Sequence, residues 1–228
     1  MSNEPPIRDP EARGLPLVVV LLVLTVVSGL IDAVSYLGLH HVFTANMTGN
    51  VVVLGFAAAG APGFSVPHTA TSLGAFLVGA VAGGQVATWF SGGSLRTWAR
   101  VTLAVEAVLV GVASAVAFAA PDANGMTYAV IALVALAMGL RNATVRKIGV
   151  PDLTTTVMTM TLTGLVSDSH LTGGKNTRAT RRAASVLALL AGALLGAWLV
   201  LHHGLGIPLL IAAVAVGVLA VTSSGRER

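Results

Sequence analysis

The residues able to do chemistry in this chain are few and oddly placed. Asp32 is the only charged side chain in the 82 residues from Gly14 to Leu95. A charge at the centre of a lipid-spanning helix costs about 3 kcal/mol on insertion scales, so such a residue is seldom incidental. Three chemistries are open to it. It can stay protonated and carry protons, it can pair with a cation, or it can hydrogen-bond the backbone of a broken helix. Arg141 is its natural partner, one position before Asn142. An Asp32–Arg141 pair would neutralise both charges, and on opening would offer Arg141 to an anion and Asp32 to a proton. The alternative is that Arg141 joins Arg146 and Lys147 and snorkels to the cytoplasmic surface. Glu106, six residues after Arg100, either reaches the interface or pairs with a neighbouring helix.

Two polar elements interrupt the apolar runs. The first, Thr44-Ala45-Asn46-Met47-Thr48-Gly49-Asn50, precedes a short apolar helix, and Asn50 or Thr48 can serve as its N-cap. The unpaired N–H groups of such a half-helix favour anions. The second carries Thr154, Thr155, Thr156, Thr159, Thr161 and Thr163. Threonines can also bond their own helix backbone, but two such elements in equivalent positions point to a substrate site. The candidate solute- or ion-binding residues are therefore Asp32, Asn46, Thr48, Asn50, Arg141, Asn142, Thr155, Thr156 and Thr159.

Other chemistry is missing. There is no cysteine, and the histidines at 40, 41, 68, 170, 202 and 203 match no metal-ligand spacing, so they read as interfacial anchors. No Walker A, dinucleotide-binding, zinc-protease or nucleophile-elbow pattern occurs, which excludes an ATP-driven pump for this chain alone. No paired acid, His or Ser constellation stands at one depth. The expectation is no enzyme, no cofactor and no metal. The basic run Lys175–Arg182 suits anionic lipid rather than nucleic acid.

The elements that position these residues follow from hydropathy. Hydrophobic residues make up 55% of the 228 and charged residues 10%, against about 25% charged in soluble domains. No charge falls between Ala183 and Gly225. The apolar segments are Leu15–Leu39, Phe43–Ala61, Thr69–Phe90, Val101–Ala120, Met126–Thr144, Leu153–Val166, Ala183–Leu201 and Leu205–Val221. If all eight crossed, Arg96, Arg100, Arg146 and Lys147 would lie outside, against the positive-inside rule. If the two polar segments enter and leave on the same side, 12 of the 13 Lys and Arg residues fall on the cytoplasmic side, with Arg141 the exception.

Self-comparison points the same way. Gly29-Leu30-Ile31-Asp32-Ala33 aligns with Gly139-Leu140-Arg141-Asn142-Ala143 at an offset of 110, and Met47-Thr48 aligns with Met158-Thr159. Residues 15–120 and 126–221 form two halves of three crossings each, so the second half is inverted, as in many secondary transporters. The Gly79–Gly83 GxxxG match is weak evidence for dimerisation. The expected fold is an all-α polytopic membrane helical bundle with six crossings, two re-entrant or broken helices and an inverted internal repeat. Residues 1–14 and 223–228 are expected as cytoplasmic tails, the first disordered.

The segments GLIDAVSYLGL and FTANMTGN, followed by RNATVRKIGVPDLTTTVMTMTLTGL, make the chain similar to the YoaK family of small bacterial integral membrane proteins, from about Leu17 to Thr222. The resemblance implies a multi-pass protein of the bacterial inner membrane and a domain of unknown function, and it carries over no site residue. The expected function is a secondary transporter or facilitator of a small solute, with an anion and proton coupling in view. The expected partners are the lipid bilayer and the solute, with homo-oligomerisation open. The alternative is a scaffold or partner subunit that transports nothing, in which the two Thr-rich elements pack dry.

Overall fold

The computed structural model describes residues 15–89, 95–121, 123, 125–148, 158–168 and 178–222. The expected tails, Thr154, Thr155, Thr156 and His170 lie outside them. The described residues form helices joined by short irregular connections: α1 (Leu15–Gly38), α2 (Met47–Ala58), α3 (Val66–Trp89), α4 (Leu95–Ala119), α5 (Met126–Ile148), α6 (Met158–Ser167), α7 (Ala179–His203) and α8 (Gly206–Thr222). Each apolar segment of the sequence yields one helix. In a medium without water every backbone N–H and C=O must be satisfied within the chain, and a helix does this segment by segment. Hydroxyls inside the helices obey the same rule. Thr25, Ser28 and Thr144 donate to the carbonyls of Leu21, Leu24 and Leu140, each four residues back.

Among the described residues, five helices are long and apolar enough to cross a bilayer: α1, α3, α4, α5 and α7. At 17 residues α8 is shorter, at the lower end of the roughly 17–25 residues a span needs. The outer faces of these helices are apolar. Leu77 on α3, Val108 on α4 and Leu194 on α7 are each more than 60% exposed. An apolar surface this extensive is a liability in water and the natural surface against lipid tails.

Helix pairing is selective. α1 lies along α7, α3 along α5, and α4 against both α8 and α5, while the short α2 rests on α3 and α6 on α7. Glycines let the two long pairs approach closely. A Cβ at Gly192 would run into the Val26 carbonyl of α1, and one at Gly196 into that of Leu30. In the other pair, a Cβ at Gly79 would strike the Leu136 carbonyl of α5, and one at Gly83 would stand 2.9 Å from that of Leu140. Small residues at such seams bring backbones together in lipid, where packing rather than the hydrophobic effect holds helices. The Gly79–Gly83 match therefore serves a contact within the chain. Between the pairs runs a core of Ile31, Val34, Val110, Ile131, Val134 and Met138.

Candidate functional site

The chain between α1 and α2 sets the local geometry. After Gly38 the helix ends, with His40 and His41 both at positive φ (59° and 57°). The segment then runs back into the bundle, and its backbone is held by side chains. Asn50 is fully buried. Its Oδ1 accepts from the Phe43 N–H at 2.8 Å, and its Nδ2 donates to the Phe43 carbonyl and to Ser72 Oγ on α3 (3.0 Å). Ser72 Oγ also donates to the Phe43 carbonyl at 2.6 Å. Asn50 is thus a clasp for this segment. The N-cap is neither Asn50 nor Thr48. It is Asn46, whose side chain accepts from Gly49 N–H, because a cap must stand outside the first turn and α2 starts at Met47.

Asp32 faces the same place from α1. Its Oδ1 accepts from the Ala45 N–H at 3.2 Å, and the Asn46 N–H also bonds the carboxyl group. It lies six residues before the end of α1, roughly 9 Å in from that end at 1.5 Å per residue. Beside it opens a cavity of about 470 Å³. Asp32 and Tyr36 line it from α1, and Phe43 and Ala45 from the connecting segment. Asn46, Thr48 and Phe56 line it from the cap and body of α2. Met158 and Thr159 contribute the first turn of α6, and Leu189 closes it from α7. Tyr36 and Phe43 stack with ring centres 4.8 Å apart. The N-terminal ends of both short helices therefore open onto one cavity, with a carboxylate in its wall.

Of the residues expected at a site, Asp32, Asn46, Thr48 and Thr159 come together here. Asn50 supports them from behind. Thr161 is buried, and Thr163 donates to the Thr159 carbonyl. Asn142 donates to Met138 O within α5 and does not line the cavity. Tyr36, Phe56 and Met158 were not anticipated. The position of Tyr36, one helical turn beyond Asp32, is the signal that could have found the first of them.

Arg141 departs from expectation. It does not pair with Asp32 and it does not snorkel. It is 4% exposed, and its guanidinium binds Glu106 on α4, which is 0% exposed. Nε donates to Oε2 at 2.8 Å and Nη2 donates to Oε1. Nη1 donates to Ser28 Oγ (2.9 Å) and to the Leu24 carbonyl (3.2 Å) on α1. The physical reason is coordination. A planar guanidinium buried in the bundle needs a bidentate carboxylate, and Asp32 already accepts backbone N–H groups. Glu106 accordingly lies in the core rather than at the interface.

At the far end of α6, Arg182 of α7 donates to the Gly164 carbonyl and to Asp168, each at 2.6 Å. That hydrogen bond holds the exposed Asp168 carboxyl below its ordinary range. On the opposite face His40 stacks on His68 and His68 on Tyr128, at 4.6 and 4.3 Å between centres. His202 stacks on Trp198. No group of three metal-ligating side chains occurs among the described residues.

A family model described as "Protein of unknown function (DUF1275)" matches residues 20–222. The UPF0700 transmembrane protein YoaK of Bacillus subtilis (strain 168) is 35% identical over 152 residues, which are 65% of this chain and 65% of that protein. No solved structure matches.

Proposed function

The chain belongs to the DUF1275 family, whose description assigns no activity, and from the geometry of its cavity we propose that this multi-pass membrane protein is a secondary transporter or facilitator of a small polar solute. The observation that carries the reading is the shared cavity. Two short helices, α2 and α6, each too short to span, begin at one cavity that also holds Asp32. Interrupted helices meeting at a substrate site are the working parts of many secondary transporters. A scaffold whose Thr-rich elements packed dry would have no use for the opening.

The topology that accompanies this reading has six crossings, with α8 as the sixth, and α2 and α6 as re-entrant half-helices. Both termini are cytoplasmic and the membrane is the bacterial inner membrane. The connections 39–46, 59–65, 120–125 and 203–205 contain no Lys or Arg, as expected of the outer side. Helix pairing supports an inverted repeat. The first helix of each half lies along the third helix of the other. Gly29 abuts Leu189 as Gly139 abuts Phe76, and Gly192 abuts Val26 as Gly79 abuts Leu136. In this reading the chain is not an enzyme, and its partners are lipid and solute.

Proton coupling through Asp32 is part of the proposal. The test is flux of a solute panel into proteoliposomes under imposed pH gradients. Saturable uptake that Asp32→Asn uncouples from the gradient is the expected result. Identical behaviour of wild type and Asp32→Asn under every gradient removes the coupling, and no flux for any solute removes transport.

A further inference from the structure

The charge in the cavity wall identifies the kind of solute. Resting on the transport reading, we propose that the cavity binds a small organic cation, an ammonium group carried on an apolar body. The expected anion has no vacancy: the N–H groups of Ala45 and Asn46, at the entrance to α2, already bond the Asp32 carboxyl group, and Asn46 Oδ1 holds the Gly49 N–H. The basic group nearest in expectation, Arg141, is committed to Glu106, so that pair contributes no net charge. What remains is one carboxylate. The two helix N-termini that open here each carry about half a positive charge spread over backbone N–H groups, whereas Asp32, when ionised, is the one charged side chain lining the cavity among the described residues and can meet an ammonium group directly. No Lys or Arg lines the cavity among the described residues.

The rest of the wall fits the same ligand. Tyr36, Phe43 and Phe56 bring three aromatic rings to the cavity that holds the carboxylate, and aromatic faces attract ammonium groups by about 0.5–2 kcal/mol each. Val52, Val53 and Leu189 offer an apolar surface for the remainder of the molecule. A cavity of about 470 Å³ is far too large for a bare metal ion and lies within the roughly 300–1,000 Å³ of small-molecule sites.

The test uses the full chain purified in detergent, with radiolabelled choline and tetraethylammonium as probes. Two competitors share choline's shape: the neutral 3,3-dimethylbutan-1-ol and the anionic 3,3-dimethylbutanoate. The expected result is saturable binding of at least one cation, displaced by neither competitor. Asn at position 32 can still accept the Ala45 N–H, so Asp32→Asn keeps the fold. Its affinity falls at least about tenfold, the effect of losing one close charge pair. Phe56→Leu, on the half-exposed side of α2, weakens binding about three- to tenfold through the lost ring face. The inference is overturned if neither cation binds, if the anion competes as well as the cation, or if folded Asp32→Asn keeps wild-type affinity. Binding without flux into proteoliposomes overturns transport and leaves the cation site standing. Flux of an anion with no cation binding does the reverse.

Discussion

Removing the carboxylate of Glu106 tests the charge arrangement most directly. The side chain is 0% exposed and Arg141 is 4% exposed, so no water can replace either partner. Glu106→Gln leaves an oxygen that can accept one guanidinium N–H, but its amide group points a donor at another donor. Arg141 then keeps Ser28 Oγ and the Leu24 carbonyl, both neutral. Breaking a buried ion pair from one side typically costs about 3–5 kcal/mol, because a charge is left uncompensated. Arg141→Met should cost a similar amount by stranding the carboxylate. The double variant Glu106→Leu/Arg141→Met strands nothing, and such replacements are commonly neutral or stabilising by about 1–4 kcal/mol. Thermal unfolding of wild type, Glu106→Leu, Arg141→Met and the double variant in one detergent closes the cycle and gives the ranking. The double variant should be more stable than either single variant, a large favourable coupling of the kind contacting residues show. If the two losses add instead, the pair is not the self-contained unit described, and the argument that it leaves Asp32 unbalanced fails with it.

Gly192→Ala and Gly79→Ala should each lower the melting temperature, since overpacking a close seam costs about 1–3 kcal/mol, whereas Gly74→Ala, whose Cβ would meet nothing within 4 Å, should hold or raise it. Asn50→Ala leaves the backbone of fully buried Asn50's partner Phe43 short of bonds, at about 1–3 kcal/mol, and should abolish cation binding because it releases the segment that carries Ala45. The Asp168 carboxyl is held low by Arg182, so its stabilising contribution is present above the ordinary aspartate value near 4 and is lost as pH falls through the lower folded value. Acid titration of wild type and Asp168→Asn should therefore diverge above that range and converge below it. The chain has no cysteine, so single cysteines at Gly60 or Gly204 should react with an impermeant thiol reagent from outside in intact cells. One at Lys147 should react only after the membrane is opened, and the opposite pattern refutes the proposed orientation.

What the sequence made legible was what hydropathy and charge spacing control. Eight apolar runs became eight helices among the described residues, and the two polar, short runs became the two short helices at the cavity. Asp32, Asn46, Thr48 and Thr159 were recognisable because polar groups are costly in an apolar run and stand out there. The partner of Arg141 was not legible. A six-residue step places Glu106 under two turns beyond Arg100, but how deep that helix sits and which face it turns inward depend on packing against α5 and α8. The aromatic wall was hidden for a related reason: Tyr36 and Phe56 in apolar helices look like lipid-facing residues until the fold puts them beside a carboxylate. The N-cap was misassigned by a few residues because Asn46, Thr48 and Asn50 are all competent caps, and only the clasp by Asn50 on Phe43 decides among them.

Under the proposed repeat, the halves agree in backbone contacts and differ in charge. The offset of 110 that relates Gly29 to Gly139 relates Asp32 to Asn142 and Ile31 to Arg141. On the last helices, Gly111 faces Ala213 as Gly217 faces Ala107, so Glu106 corresponds to Ala212. The Arg141–Glu106 pair, which bridges the two halves, is therefore matched at the equivalent positions by Ile31 of the first half and Ala212 of the second, both buried and apolar. In the transport reading, equivalent seams would let the two halves rock alike, as alternating access requires, and unequal charges would give the cavity its sign. Arg141 sits one residue from the counterpart of Asp32, and Glu106 holds its guanidinium in a bidentate pair. Without Glu106 the protein's own unpaired guanidinium would compete with a cationic solute for the Asp32 carboxylate.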